Sequence, residues 1–202
     1  GIGSGLGGFI NIKRGHYEFD MKGQEGACIG SVNGDSELLI EYCDMDIYSG
    51  ISNGTIIGSV NGDADIKLEN ISAKLQGAGN IITGIGTIAG NSCMVRLENV
   101  NISSNIRAKE CYGIGCRAGR TNIYIGYAAV KSVVQGKAAV AFGNSVMSAK
   151  LYCSNADIGT NAVTEFNSDI GALEKNIQLE NGRAEFILNG QEVKRQILAA
   201  RL

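Results

Sequence analysis

Apolar residues along this chain fall into short alternating runs, each interrupted by a single slip. In one stretch Ile66 and Leu68 alternate with Asp65, Lys67 and Glu69, and after a shift of one place the pattern resumes at Ile71, Ala73 and Leu75. Val95 and Leu97 are followed in the same way by Val100 and Ile102, and Ile123 and Ile125 by Ala128 and Val130. Period two with one slip predicts two short strands joined by a bend. A helix would space its apolar positions by three and four.

The runs recur in step with a second signal. An apolar residue followed by glycine stands at Ile2-Gly3, Ile29-Gly30, Ile57-Gly58, Ile85-Gly86, Ile114-Gly115, Phe142-Gly143 and Ile170-Gly171, at intervals of 27, 28, 28, 29, 28 and 28 residues. A further glycine follows five places after the apolar residue at Gly34, Gly62, Gly90 and Gly119, so each unit carries a fixed turn as well as a fixed core position. A unit of this length with three short strands cannot bury its inward face alone, and consecutive units must stack on one continuous core.

The predicted fold is therefore all-β: a parallel β-helix, or β-solenoid, of about seven coils at a 28-residue period. Its long, unequal coils favour the right-handed form. Stacked at the strand spacing, seven coils give a rod on the order of 34 Å long. Corners need glycine where φ is positive or where a Cβ would strike the next coil. The chain contains no proline, as expected where interior coils donate their N–H groups to a neighbour. Leucine-rich repeats have shorter units with a Leu/Asn signature missing here, and propeller blades have longer, antiparallel ones. Residues 1–171 are the repeat domain, and residues 172–202 are its last coil and C-terminal cap within the same domain. In that cap Arg183–Leu188 reads as a strand and Asn189-Gly190 as a turn. Val193, Ile197 and Leu198, with Lys194, Arg195 and Arg201, read as an amphipathic closing segment. Residue 1 falls inside a coil, so an upstream domain or a partner chain is expected to cover the N-terminal open end.

The Ile-Gly pairs, the Asn33-Gly34 and Asn61-Gly62 turns and the alternating segment from Asp65 to Asn70 resemble the glycine-rich G-I-G-G type β-helix repeats found in surface and carbohydrate-binding-type proteins of gut Firmicutes. The likeness covers about residues 1–170 and is best over 23–103. Such repeats specify architecture far more than activity. The resemblance implies an accessory or binding module of a larger bacterial protein, and a location at the cell surface.

Composition narrows the function further. At 44% apolar and 19% charged residues, with a formal net charge of -2, the chain has neither a disordered character nor the basic footprint of a nucleic-acid binder. No apolar run approaches the roughly 18 residues of a membrane span. Six cysteines, Cys28, Cys43, Cys93, Cys111, Cys116 and Cys153, show no metal or redox spacing. They are expected as buried free thiols, which points to the cytoplasm rather than the surface. Cys111 and Cys116 form a C-x4-C gap without a second pair or a nearby His, so zinc is not expected, and no cofactor is implied.

The period places outward residues above one another. Glu41, Glu69 and Glu98 form one acidic column; Asp35 and Asp63, with Glu37 and Asp65 two places on, form another cluster. Stacked carboxylates either splay into solvent or recruit a cation such as calcium, and no calcium-loop motif is present. His16, Asp44 and Ser72 stack with the residue types of a nucleophile triad, and Glu18, Asp46 and Lys74 with those of a polysaccharide lyase. Exposed strand positions must be polar, however, and any three coils offer such sets. A third column holds Tyr42, Asn70, Asn99, Tyr127 and Asn155, while Tyr124 and Tyr152 stack nearby. Tyr124, Tyr127 and Tyr152 are the candidates for binding sugar rings, whereas an Asn ladder also stabilises solenoid turns. The expected function is a non-catalytic scaffold or glycan-binding β-helix module; the alternative is a β-helix polysaccharide lyase or hydrolase. Nearly constant unit lengths leave little room for the loops that enclose a catalytic recess.

Overall fold

The computed structural model describes residues 1–145, 147–165 and 177–198, with side chains described up to residue 192. These residues form ten strands and no helix: β1 Ile2–Ser4, β2 Gly8–Asn33, β3 Ser36–Asn61, β4 Ala64–Thr87, β5 Ser92–Cys116, β6 Arg120–Gln135, β7 Ala138–Gly143, β8 Ala149–Val163, β9 Ile177–Leu188 and β10 Gln191–Leu198. Each of β2 to β5 is a whole coil bent through its corners, and each pairs in parallel with the next. β6 and β7 together lie on β5, and β8 and then β9 follow. The result is a β-solenoid of about six turns with a period near 28 residues. No helix among the described residues is long and apolar enough to cross a membrane.

The Ile-Gly register is the spine of the stack. Ile2, Ile29, Ile57, Ile85, Ile114 and Phe142 are successive strand partners, and from Ile29 onward each is at most 1% exposed. Ile170-Gly171 lies outside the described residues. The neighbouring glycines need their missing side chains: Gly58 has φ 139° and a Cβ there would land on the carbonyl oxygen of Gly86. Both its backbone conformation and its distance from the next coil exclude a larger residue.

The slip between the alternating runs is a corner in the left-handed conformation. Arg14, Tyr42, Asn70, Asn99, Tyr127, Asn155 and Asn181 all have φ between 46° and 56°. One residue with positive φ reverses the in-out phase, which is why the apolar pattern resumes one place late. Asn tolerates this region better than most residues, and the amides also ladder, with Asn99 Nδ2 donating to Asn70 Oδ1 at 2.6 Å. Arg14 lies over the Tyr42 ring at the same corner, 5.8 Å from its centroid.

At the C-terminal side β9 continues the parallel stack, pairing Leu151 with Ile177, and β10 then folds back antiparallel on β9. The turn is Asn189-Gly190, with φ of 50° and 79°, the residue pair that a two-residue hairpin with both φ positive prefers. The side chains from Val193 to Leu198, and Arg201, lie outside the described residues. At the other side β1 pairs only with Ile29–Ser31 of β2, and Leu6 and Phe9 are exposed there.

Candidate ligand-binding cleft

The outer face of β4, β5, β6, β8 and β9 carries two adjacent columns. One reads Lys67, Arg96, Tyr124, Tyr152, Gln178, and the other Glu69, Glu98, Gly126, Ser154, Glu180. The alternating inward residues Leu97, Ile125 and Cys153 make the floor between them. Glycine and serine replace glutamate at two successive levels of the second column. The gap they leave, beside the tyrosines, is an open cleft of about 660 Å3. Tyr124 and Tyr152 stack on each other at 4.9 Å and 7°, and together form one wall.

The charges of the cleft are unevenly committed. Lys67 Nζ lies 2.7 Å from Glu69 Oε2, a hydrogen bond that raises the lysine pKa above its ordinary value. Arg96 is bound to Asp65 at 2.5 Å and also touches the Met94 sulfur. Glu98 and Glu180 have neither an ion pair nor a hydrogen bond among the described residues. The carboxylate of Glu98 leans along the stack, with Oε2 where a Cβ at Gly126 would stand.

The tyrosine trio expected from the sequence is thus divided. Tyr124 and Tyr152 line the cleft, whereas Tyr127 occupies the corner with φ 46° and a side chain 65% exposed outside it. Glu98 entered the sequence reading only as a member of an acidic column, and Gly126, Gln178 and Glu180 were not predicted as binding residues. The signal for them was the break of the Glu column at Gly126, which becomes meaningful only beside the tyrosines.

The other expected constellations are aligned as the register requires. His16, Asp44 and Ser72 are consecutive partners, as are Glu18, Asp46 and Lys74, and all of these except Glu18 line a shallow depression of about 300 Å3. His16 Nε2 sits 3.0 Å from Glu18 Oε1, the main cause of its raised pKa, and Lys74 Nζ sits 3.5 Å from Asp46 Oδ2. Ser72 has no hydrogen bond to either residue of its column. Ser72 therefore has no hydrogen-bonded base.

In the Asp35, Glu37, Asp63 and Asp65 cluster, the three aspartates hold partners from the protein itself. Asp35 Oδ1 accepts the N–H of Asp63 at 2.9 Å, and Asp63 Oδ1 accepts those of Asn91 and Ser92 at 2.7 and 3.0 Å. Asp65 holds Arg96. Asp35 and Asp63 tie one coil's turn to the next. All six cysteines are free and buried. Burial pushes the Cys111 thiol up to about 11 and the Cys153 thiol up to about 12, and Cys116 donates to the Gly119 carbonyl. Among the described residues no group of three or more His, Cys, Asp or Glu is placed to hold a metal ion.

Comparison with protein families, with curated proteins and with solved structures finds no match to this chain.

Proposed function

We propose that this β-solenoid is a non-catalytic module of a larger bacterial protein and that it binds carbohydrate in the cleft beside Tyr124 and Tyr152. The observation that carries the reading is the parallel tyrosine pair, fixed by strand register on a rigid face and opening onto a gap lined by Ser154, Gln178 and two glutamates. Sugar rings present apolar C–H faces and polar edges, and such a wall beside hydrogen-bonding groups suits both. Each ring covers one face of the other, so a sugar meets the outer faces and edges of the pair. The resemblance of the repeats to surface and carbohydrate-binding-type proteins supports the same reading. Leu6 and Phe9, exposed beside the open side of β2, give such a module a place to pack against an upstream domain or a partner chain.

A glycan array with the wild-type protein, Tyr124→Ala and Tyr152→Ala tests the reading. Binding is expected for the wild type, with loss of about 1 kcal/mol or more for each ring removed. Depolymerisation of a uronate polysaccharide that disappears in Asp46→Asn or Lys74→Ala would instead establish the lyase alternative.

A further inference from the structure

The charge balance of the cleft names the class of sugar. Resting on the carbohydrate reading above, we propose that the cleft recognises an amino sugar with a free ammonium group, an N-deacetylated hexosamine oligosaccharide. Both cations of the lining are already neutralised, Lys67 by Glu69 and Arg96 by Asp65. Both remaining carboxylates, Glu98 and Glu180, lack any partner among the described residues. The lining therefore presents aromatic rings with uncompensated negative charge on the side of Gly126, the combination that attracts an organic cation, while the exposed Lys150 stands outside the lining on the opposite side of the tyrosine column.

Gly126 positions one of these carboxylates. Gly126 lies two residues from Tyr124 on the same strand and face, and the Glu98 carboxylate leans into the space its missing side chain leaves. That brings the charge from the level of Arg96 toward the level of the tyrosine ring. A pyranose stacked against Tyr124 meets a carboxylate at its edge. An ammonium substituent there gains a charge-assisted hydrogen bond, a neutral acetamido group leaves Glu98 without a counter-charge, and a uronate is repelled. Glu98 and Glu180 are three strand steps apart, about 14 Å between their backbones, and the lean of Glu98 brings its carboxylate nearer to two steps, about 10 Å, from the level of Glu180. That span exceeds one pyranose ring, so an oligomer with an ammonium on each unit engages both ends of the cleft.

The experiment is titration calorimetry at fixed ionic strength with a glucosamine tetramer, its fully N-acetylated counterpart, a galacturonate tetramer and an oligolysine of equal charge. The glucosamine tetramer is expected to bind at least about tenfold more tightly than the others, a difference of about 1.4 kcal/mol. Glu98→Gln should remove that preference. Gly126→Ala should do the same with an unchanged melting temperature, because the group displaced is the mobile end of a side chain. Equal affinity for the acetylated and deacetylated tetramers, an unchanged preference in Glu98→Gln, or oligolysine binding as tightly as the sugar overturns the inference. The first two of these leave the carbohydrate reading standing. Absence of binding to any glycan overturns both.

Discussion

The rings of Tyr124 and Tyr152 lie 4.9 Å apart and 7° from parallel, although the two residues are 28 positions apart in the chain. Their separation is close to the spacing of paired strands, about 4.8 Å, so register alone sets the stack without bending either side chain. Tyr152 supports Tyr124 as well as lining the cleft. Tyr152→Ala is expected to cost about 0.5–1.5 kcal/mol of stability and to weaken binding through a less ordered Tyr124. Thermal denaturation and sugar titration of Tyr124→Ala, Tyr152→Ala and the double variant check this. Fully additive stability losses would show that the rings do not support each other.

The glycine column predicts a contrast between two chemically identical substitutions. Gly58→Ala places a methyl group on the carbonyl oxygen of Gly86 at φ 139°, and is expected to lower stability by several kcal/mol or prevent folding. Gly159→Ala meets nothing within 4 Å and should lie within about 0.5 kcal/mol of wild type. Denaturant titration distinguishes them, and equal stabilities would contradict the stacking.

Ile57 provides the matching test of the core. It is 0% exposed between Ile29 and Ile85, so Ile57→Asp buries a charge without a partner and should abolish the folded state. Circular dichroism showing a folded variant with the wild-type melting temperature is the outcome that excludes the burial.

Tyr127 separates a corner role from a binding role. It holds φ 46° where Asn70, Asn99, Asn155 and Asn181 hold similar values, and its ring lines no part of the cleft. Tyr127→Asn is expected to raise stability by up to about 1 kcal/mol and leave sugar affinity unchanged. Loss of binding in this variant would return Tyr127 to the site.

The buried thiols predict an alkaline limit. Burial raises the folded-state pKa of Cys153 to about 12 and of Cys111 to about 11, from an ordinary value of 9.0. An acid with a raised folded pKa binds its proton more tightly in the native state. Its contribution to stability is complete below about pH 9 and is lost as pH rises through the folded values. Melting temperatures between pH 8 and 12 should fall accordingly, less steeply in Cys153→Ala relative to its own value at pH 8. At pH 8 the native thiols should resist a thiol-specific reagent that labels all six after denaturation.

The coil architecture was legible because its determinants are local and repeated. Alternation selects the strand, the slip at Asn70 or Asn99 selects a corner with positive φ, and the Ile-Gly pairs set one register for every coil. A parallel stack with near-constant unit length then brings residues about 28 apart into contact, so the columns Glu69–Glu98 and Tyr124–Tyr152 followed from counting. Counting could not say what each outward side chain would do. Asp35 and Asp63 bond the backbone of the next coil, and His16 turns to Glu18 rather than to Asp44.

The same division governs the cleft. Register in the sequence determined that Tyr124 and Tyr152 stand together, because strand pairing fixes Cβ positions. The tertiary structure decided that Tyr127 stands apart, that Lys67 and Arg96 are neutralised by neighbours, and that Glu98 leans over Gly126 with its charge unpaired. These outcomes depend on which rotamers long side chains adopt among several reachable partners, and that competition is settled only when adjacent coils are in place.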